Sequence, residues 1–234
     1  MRMQSLLLRF TAVAAVTLLA VGCNKKASSP TDSGGSPIGE TNLFPLAAGH
    51  TVVYSEYALD TTSSQRVDAT VHRHVTTVGA AVMHNGKNAF PVVDSVYTPA
   101  GDVASVGTTY MAVDGGDLYV EFDNAWAVLF KRSAGVGTSY FVRTYTDSST
   151  GFKVSVDVSG LVMDKESVQT GAGTFQAYKL QLKGVVTGFG IEFPVYFYFA
   201  DGVGPIKETT PVGSNPLTGT KIPGDEMVMV SKNF

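Results

Sequence analysis

The sequence predicts a mainly β protein. The expected architecture is a strongly curved antiparallel sheet closed into a barrel or half-barrel, with a two-sheet β-sandwich as the alternative, carried behind a signal peptide and a flexible linker. Three observations predict it. Apolar and polar residues alternate with period two in one segment after another from Thr51 to Lys232. Val, Thr, Tyr and Phe recur throughout, and 25 glycines supply turns. No segment offers a convincing long amphipathic helix, because glycine and β-branched residues interrupt the candidates. About ten strands in one antiparallel sheet must curl or close to cover their edges.

Residues 1–22 have the layout of an export signal: Arg2 and Arg9 supply a basic start, and Phe10 to Gly22 are small or apolar apart from two threonines. The apolar run is short for a span, which needs about 20 residues. It ends at Gly22–Cys23, and Cys23 is the one cysteine of the chain. The stretch LLAVGC resembles the lipobox of bacterial lipoproteins, with Ala20 where the family usually has Leu and with Leu19 one place earlier. The resemblance implies a diacylglycerol thioether and further acylation at Cys23, and so an anchor of several acyl chains. Asn24 follows the cysteine, where Asp would resemble an inner-membrane retention signal; the expected location is the cell envelope, in the outer membrane if the host has one. Residues 23–41 are the lipidated cysteine and a Ser/Gly/Pro-rich tether.

The 234 residues carry 17 basic and 20 acidic side chains; removing residues 1–22 takes two arginines and leaves a balance of −5. No basic block follows the tether, which argues against nucleic acid as a partner. With Cys23 acylated no disulfide can form, so packing alone must hold the domain, expected over residues 42–234.

The strands follow in order. TVVYSEYALD and RVDATVHRHVTTV alternate, the second placing His72 and His74 on one face. FPVVDSVYTPAGD ends in a Pro/Gly turn, and in TTYMAVDGGDLYVEF the run Asp114–Gly115–Gly116–Asp117 is a hairpin turn. AWAVLFKR, TSYFVRTYTD and GFKVSVDVSGLVM come next, then TFQAYKLQLKGVV and IEFPVYFYFA, the longest late candidates. ADGVGPIKET turns again, and EMVMVSK closes the chain. Sequential hairpins make chain neighbours the default sheet neighbours.

GAGTFQAYKLQLKG and YFYFADGVGPIKET resemble a signature of uncharacterised bacterial envelope lipoproteins. It is carried by Gly173, Thr174, Phe175, Ala177 and Tyr178, by Tyr196, Tyr198, Phe199 and Ala200, and by Gly202, Val203, Gly204 and Lys207. Asp201 stands where Pro is frequent, and Pro205–Ile206 replace Leu-Val. The opening NLFPLAAGHTVVYSEY is similar to the start of that group, with Val53 in the usual Trp place. The resemblance implies a sheet like the curved ones of carriers that shuttle lipoproteins. Gly202 and Gly204 are then structural turn residues. Tyr196 and Tyr198 face one way and Phe197 and Phe199 the other; one face packs the core, and the second lines a groove, meets a partner, or lies under a loop from 209–224.

The sequence offers little chemistry. His72 and His74 could share a metal with His84 or Asp94, but an exposed strand face explains them, and no metal site or cofactor is expected. No G-x-S-x-G is present, and Asp123, Asp157 and Glu192 are not placed within reach of one another by any pattern. No enzyme activity is expected. The reading put first is an envelope lipoprotein with a structural, assembly or protein-interaction role, its partners being the membrane, through Cys23, and an envelope protein. The alternatives are a carrier of lipid or another hydrophobic ligand, lined by Trp126, Phe130, Tyr140, Phe141, Phe189, Tyr196 and Tyr198, and, last, a hydrolase.

Overall fold

In the computed structural model the described residues are 38–39, 42–147, 154–188, 190–215 and 218–234. The export signal, Cys23, most of the tether and Phe189 lie outside them. Fifteen strands follow in chain order: β1 (Thr51–Leu59), β2 (Arg66–Val78), β3 (Val82–His84), β4 (Lys87–Tyr97), β5 (Val103–Asp114), β6 (Asp117–Phe122), β7 (Ala125–Phe130), β8 (Ser139–Asp147), β9 (Val154–Thr170), β10 (Gly173–Val186), β11 (Ile191–Ala200), β12 (Gly204–Thr210), β13 (Gly213–Ser214), β14 (Lys221–Ile222) and β15 (Gly224–Lys232). The helical content among these residues is one 3-10 turn, Arg132–Ala134.

Thirteen strands form one antiparallel sheet, in the order β7-β6-β5-β4-β2-β1-β15-β12-β11-β10-β9-β8, with β3 added to β4. The first and last strands pair in the middle, Tyr54 opposite Met229 and Glu56 opposite Met227. The sheet runs outward from that pair in both directions until its ends, β7 and β8, meet. The result is a nearly closed barrel rather than a sandwich. Seven ladders contain a register shift, among them Val53/Tyr54, Leu118/Tyr119, Tyr178/Leu180 and Phe141/Arg143. Each bulge bends its strand and adds twist, which curls so wide a sheet.

The seam between β7 and β8 has no ladder; side chains bridge it. The Tyr140 hydroxyl donates to the Leu129 carbonyl (2.7 Å) and accepts from the Lys131 N–H (3.2 Å). The Arg143 guanidinium donates to the Phe122 carbonyl (2.6 Å), and the Phe122 and Tyr145 rings meet edge to face at 5.8 Å. Burial pushes the Tyr140 phenol above the usual tyrosine range and Tyr145 up to about 12. The Tyr140 ring lies against the β9 backbone at Gly160, where a Cβ would stand 2.4 Å from Cζ of the ring. Glycine there is a packing requirement.

The main core sits inside the barrel near this seam. Phe44, Phe130 and Phe199 contact one another edge to face, with centroids 5.1–5.4 Å apart. Leu43, Tyr140, Leu180 and Phe197 belong to the same cluster. Ile38, inside the stretch the sequence assigns to the tether, is also in it at 3% exposure, and its N–H donates to the Arg132 carbonyl (3.3 Å). The segment 42–50 then crosses one end of the barrel, held where the Gly202 N–H donates to the Asn42 carbonyl (2.9 Å). Gly202 and Gly204 have φ of 68° and 90°, which suit glycine, and Pro45 packs 3.4 Å from where a Gly204 Cβ would lie. A second cluster gathers Tyr198, Ala200, Val203 and Ile206 with Val168 and Ala177 of the long β9–β10 hairpin. That hairpin, whose turn residue Gly171 donates to the Met229 carbonyl (3.0 Å), packs on the tyrosine side of YFYF in place of the expected 209–224 loop.

On the outer face Glu226 of β15 accepts from Arg66 Nε of β2 (2.5 Å) and Lys207 Nζ of β12 (2.6 Å). Burial works to raise its carboxyl pKa, but the two cations outweigh it and hold the group below the ordinary carboxylate range. A depressed folded-state pKa gives stability that is present above the unfolded value and lost as pH falls through the folded one. Glu226→Gln should therefore lower the melting temperature at neutral pH, and the gap from the parent should close between about pH 5 and pH 2. A gap independent of pH would contradict this role.

Candidate binding cavity

Because successive inward side chains on a strand are two residues apart, each strand carries its wall residues in tiers along the barrel axis. The upper tier lines an open cavity of about 180 Å³. Val52 and Tyr54 of β1, Thr76 and Val78 of β2, and Val92 and Asp94 of β4 wall one side. Met111, Leu118, Leu129, Phe197, Phe199 and Met227 wall the other, and Phe44, His50 and Phe234 line the same space. The lining is overwhelmingly apolar. A lower space of about 660 Å³ continues on the same strands, with Glu56 and Ala58 of β1, Thr70 and His72 of β2, Phe193 and Val195 of β11, and Asp225 of β15.

A polar layer separates the two. His74 is 2% exposed, and its ring spans two carboxylates: Nδ1 lies 2.9 Å from Asp94 Oδ2 and Nε2 lies 3.0 Å from Glu56 Oε2. The Thr76 hydroxyl donates to the other Asp94 oxygen (3.1 Å). The cross-strand register causes this directly, since Glu56 faces His72, Tyr54 faces His74 and Thr76 faces Asp94. Both ring nitrogens are engaged, so His74 has none left to act as a base on a guest or as a metal ligand. Among the described residues no group of three or more His, Cys, Asp or Glu is arranged to hold a metal. His84 lies apart from His74, stacked on Tyr110 at 3.6 Å and 2.8 Å from Glu121.

The aromatic residues expected to line a cavity are placed as follows. Phe130 and Tyr140 are in the packed core, at 0% and 1% exposure, between the seam and the cavity. Trp126 packs near His84 and donates from Nε1 to the Asn85 carbonyl (2.9 Å). Phe141 is 49% exposed. Tyr196 and Tyr198 join the second cluster, with Tyr196 accepting from Gln181 (3.0 Å) and Tyr198 under Lys179 and Lys207. Phe189 and Cys23 lie outside the described residues. The cavity takes instead Phe197 and Phe199, the alternate residues of the same strand.

No protein-family model matches the chain, and neither does any curated protein. Two solved structures are similar in fold. One is a candidate lipoprotein of Parabacteroides distasonis, 12% identical, with a TM-score of 0.56 over 82% of this chain and 99% of that one. The other is a candidate exported protein with a YmcC-like fold from Bacteroides fragilis, 13% identical, with a TM-score of 0.51 over 82% of this chain and 98% of that one. At these identities the likeness is one of fold: the chain shares a curved, nearly closed antiparallel sheet with these two bacterial proteins.

Proposed function

We propose that the chain is a lipid-anchored protein of the bacterial cell envelope whose barrel holds a small apolar or amphipathic guest. The observation that carries this reading is the open apolar cavity behind the β1–β2–β4 wall. At about 180 Å³ it is near the roughly 150 Å³ of an engineered dry cavity that takes benzene or xenon. The export signal and Cys23 support the location, and the fold likeness to a candidate lipoprotein and a candidate exported protein agrees with it. The assembly role put first from the sequence has less behind it. Among the described residues the exposed large apolar side chains are spread over β3 (Val82, Met83), β5 (Val103, Val106, Val113), the turn before β8 (Val136), β8 (Phe141) and β15 (Val230), not gathered on one pair of neighbouring strands.

The test uses the full processed chain in lipid nanodiscs, labelled at methionine methyls and titrated with hexan-1-ol. Met111 and Met227 wall the cavity, whereas Met83 is 74% exposed. The Met111 and Met227 signals should shift saturably and Met83 should not, and affinity along the alkanol series should rise by about 0.8 kcal/mol per methylene until the space is full. Val92→Phe fills the cavity and should abolish the response while the protein stays folded. Equal shifts at all methionines, or an unaltered response in Val92→Phe, would contradict the reading.

A further inference from the structure

The apolar walls of the upper cavity meet a carboxylate, and the ladders explain its place. Val92 and Asp94 are two apart on β4, so both turn to the inside and line the cavity. On β2 the residue opposite Asp94 is Thr76, whose hydroxyl donates to Oδ1 (3.1 Å). On β5 the residue opposite is Gly107, which has no side chain to lay across the carboxylate. The second oxygen, Oδ2, lies 2.9 Å from Nδ1 of His74, and the Asp94 side chain keeps 15% exposure. Asp94 is therefore the face that the polar layer turns toward the cavity.

The charge of that layer does not cancel. One imidazole lies between two carboxylates, Asp94 and Glu56, so the three groups stay net negative whether or not the ring is protonated. Glu208 lines the same cavity. Lys207 lines it too, but its ammonium is 2.6 Å from Glu226 of β15, which takes up its charge. His50 is held through Nδ1, 2.8 Å from the Pro45 carbonyl. The rest of the wall is apolar and gives a charged guest neither hydrogen bonds nor dielectric screening. A carboxylate head brought into this space loses its water and meets a like charge, and both effects oppose binding. A hydroxyl or ammonium head donates, and a carboxylate accepts from several donors at once.

We propose that Asp94 sorts the guests of the apolar cavity by head group: chains ending in a hydroxyl or an ammonium are taken, and chains ending in a carboxylate are rejected. The proposal rests on the binding reading above and adds the class of guest and the residue that selects it. The apolar body lies against Val52, Met111 and Phe197, and the head meets Asp94 and Thr76.

The experiment compares hexan-1-ol, hexylamine and hexanoate, which share one alkyl chain and at about pH 7.5 carry a neutral, a positive and a negative head. Each is titrated on the Met111 and Met227 methyl signals of the full processed chain in phosphatidylcholine nanodiscs, with the free guest measured at equilibrium. Hexylamine should bind at least as tightly as hexan-1-ol, and hexanoate roughly tenfold or more weakly than either. Asp94→Asn keeps the size of the side chain and should narrow the gap between hexanoate and hexylamine by roughly tenfold. Asp114→Asn removes the same charge from a side chain that is 69% exposed and should leave the gap as in the parent. The order of the three guests in the parent decides the matter by itself should Asp94→Asn fail to fold. Hexanoate binding as tightly as hexan-1-ol, an unchanged gap in folded Asp94→Asn, or an equal narrowing in Asp114→Asn would overturn the selection while leaving the cavity reading intact. Absence of any hexan-1-ol response in the parent protein would overturn both.

Discussion

His74→Ala should lower the free energy of unfolding by about 3–5 kcal/mol, the cost of removing one member of a buried charge network and leaving its partners uncompensated. His74 is 2% exposed and contacts Asp94 and Glu56 at 2.9 and 3.0 Å, so its loss leaves two carboxylates on the inner wall without the group between them. Urea unfolding of the full chain measures the loss. The triple change His74→Leu, Glu56→Gln and Asp94→Asn removes the charges along with the ring and should recover a large part of it, because a polar network replaced whole is far less damaging than one broken at a single member. A loss under about 1 kcal/mol for His74→Ala, the range of an exposed ion pair, would show that water reaches this layer freely.

The second large effect is at the seam. Tyr140→Ala removes a ring at 1% exposure and should cost about 3–5 kcal/mol. Tyr140→Phe isolates the hydroxyl: it leaves the Leu129 carbonyl without its 2.7 Å donor and should cost about 1–3 kcal/mol. Gly160→Ala approaches the same ring from β9, with its Cβ 2.4 Å from Cζ, and should cost about 1–3 kcal/mol by overpacking. The Gly160→Ala penalty should disappear in a Tyr140→Ala background, since the clash needs both partners. Additive losses would mean that Gly160 matters for some reason other than room for Tyr140.

The strands and their alternation were legible in the sequence because a half-buried strand writes its face into every second residue. The direction of the sheet's curvature was legible only in part. Strand number and edge protection predict closure, but the pairing of β1 with β15 joins residues far apart in sequence, and no local pattern carries it. The seam was not legible at all, since Tyr140 and Arg143 read as ordinary strand residues until Gly160 is placed opposite Tyr140.

The choice of cavity wall was legible in principle. In β10, Lys179, Gln181 and Lys183 alternate with Leu180 and Leu182, which marks the lysine parity as the outer one. The register sets Tyr198 against Lys179, Tyr196 against Gln181 and Phe197 against Leu180. Lysine stems and tyrosines share the outer face, where the β9–β10 hairpin covers Tyr198, and the phenylalanines turn inward. Aromatic density alone points to Tyr196 and Tyr198, whereas the parity points to Phe197 and Phe199, which line the cavity. The His74 layer carried a faint sign: Glu56 and Asp94 interrupt otherwise apolar inward positions of β1 and β4, beside the polar run Thr70, His72, His74 and Thr76 of β2, and three strands had to be aligned before they met.

The central claim is an open apolar space inside the barrel, and crystals pressurised with xenon test it most directly, because xenon enters dry apolar cavities of about this size. Xenon density between Val52, Met111 and Phe197, absent from Val92→Phe, is the expected result. A cavity filled by side chains or by ordered water, with no xenon in the parent protein, would contradict the account.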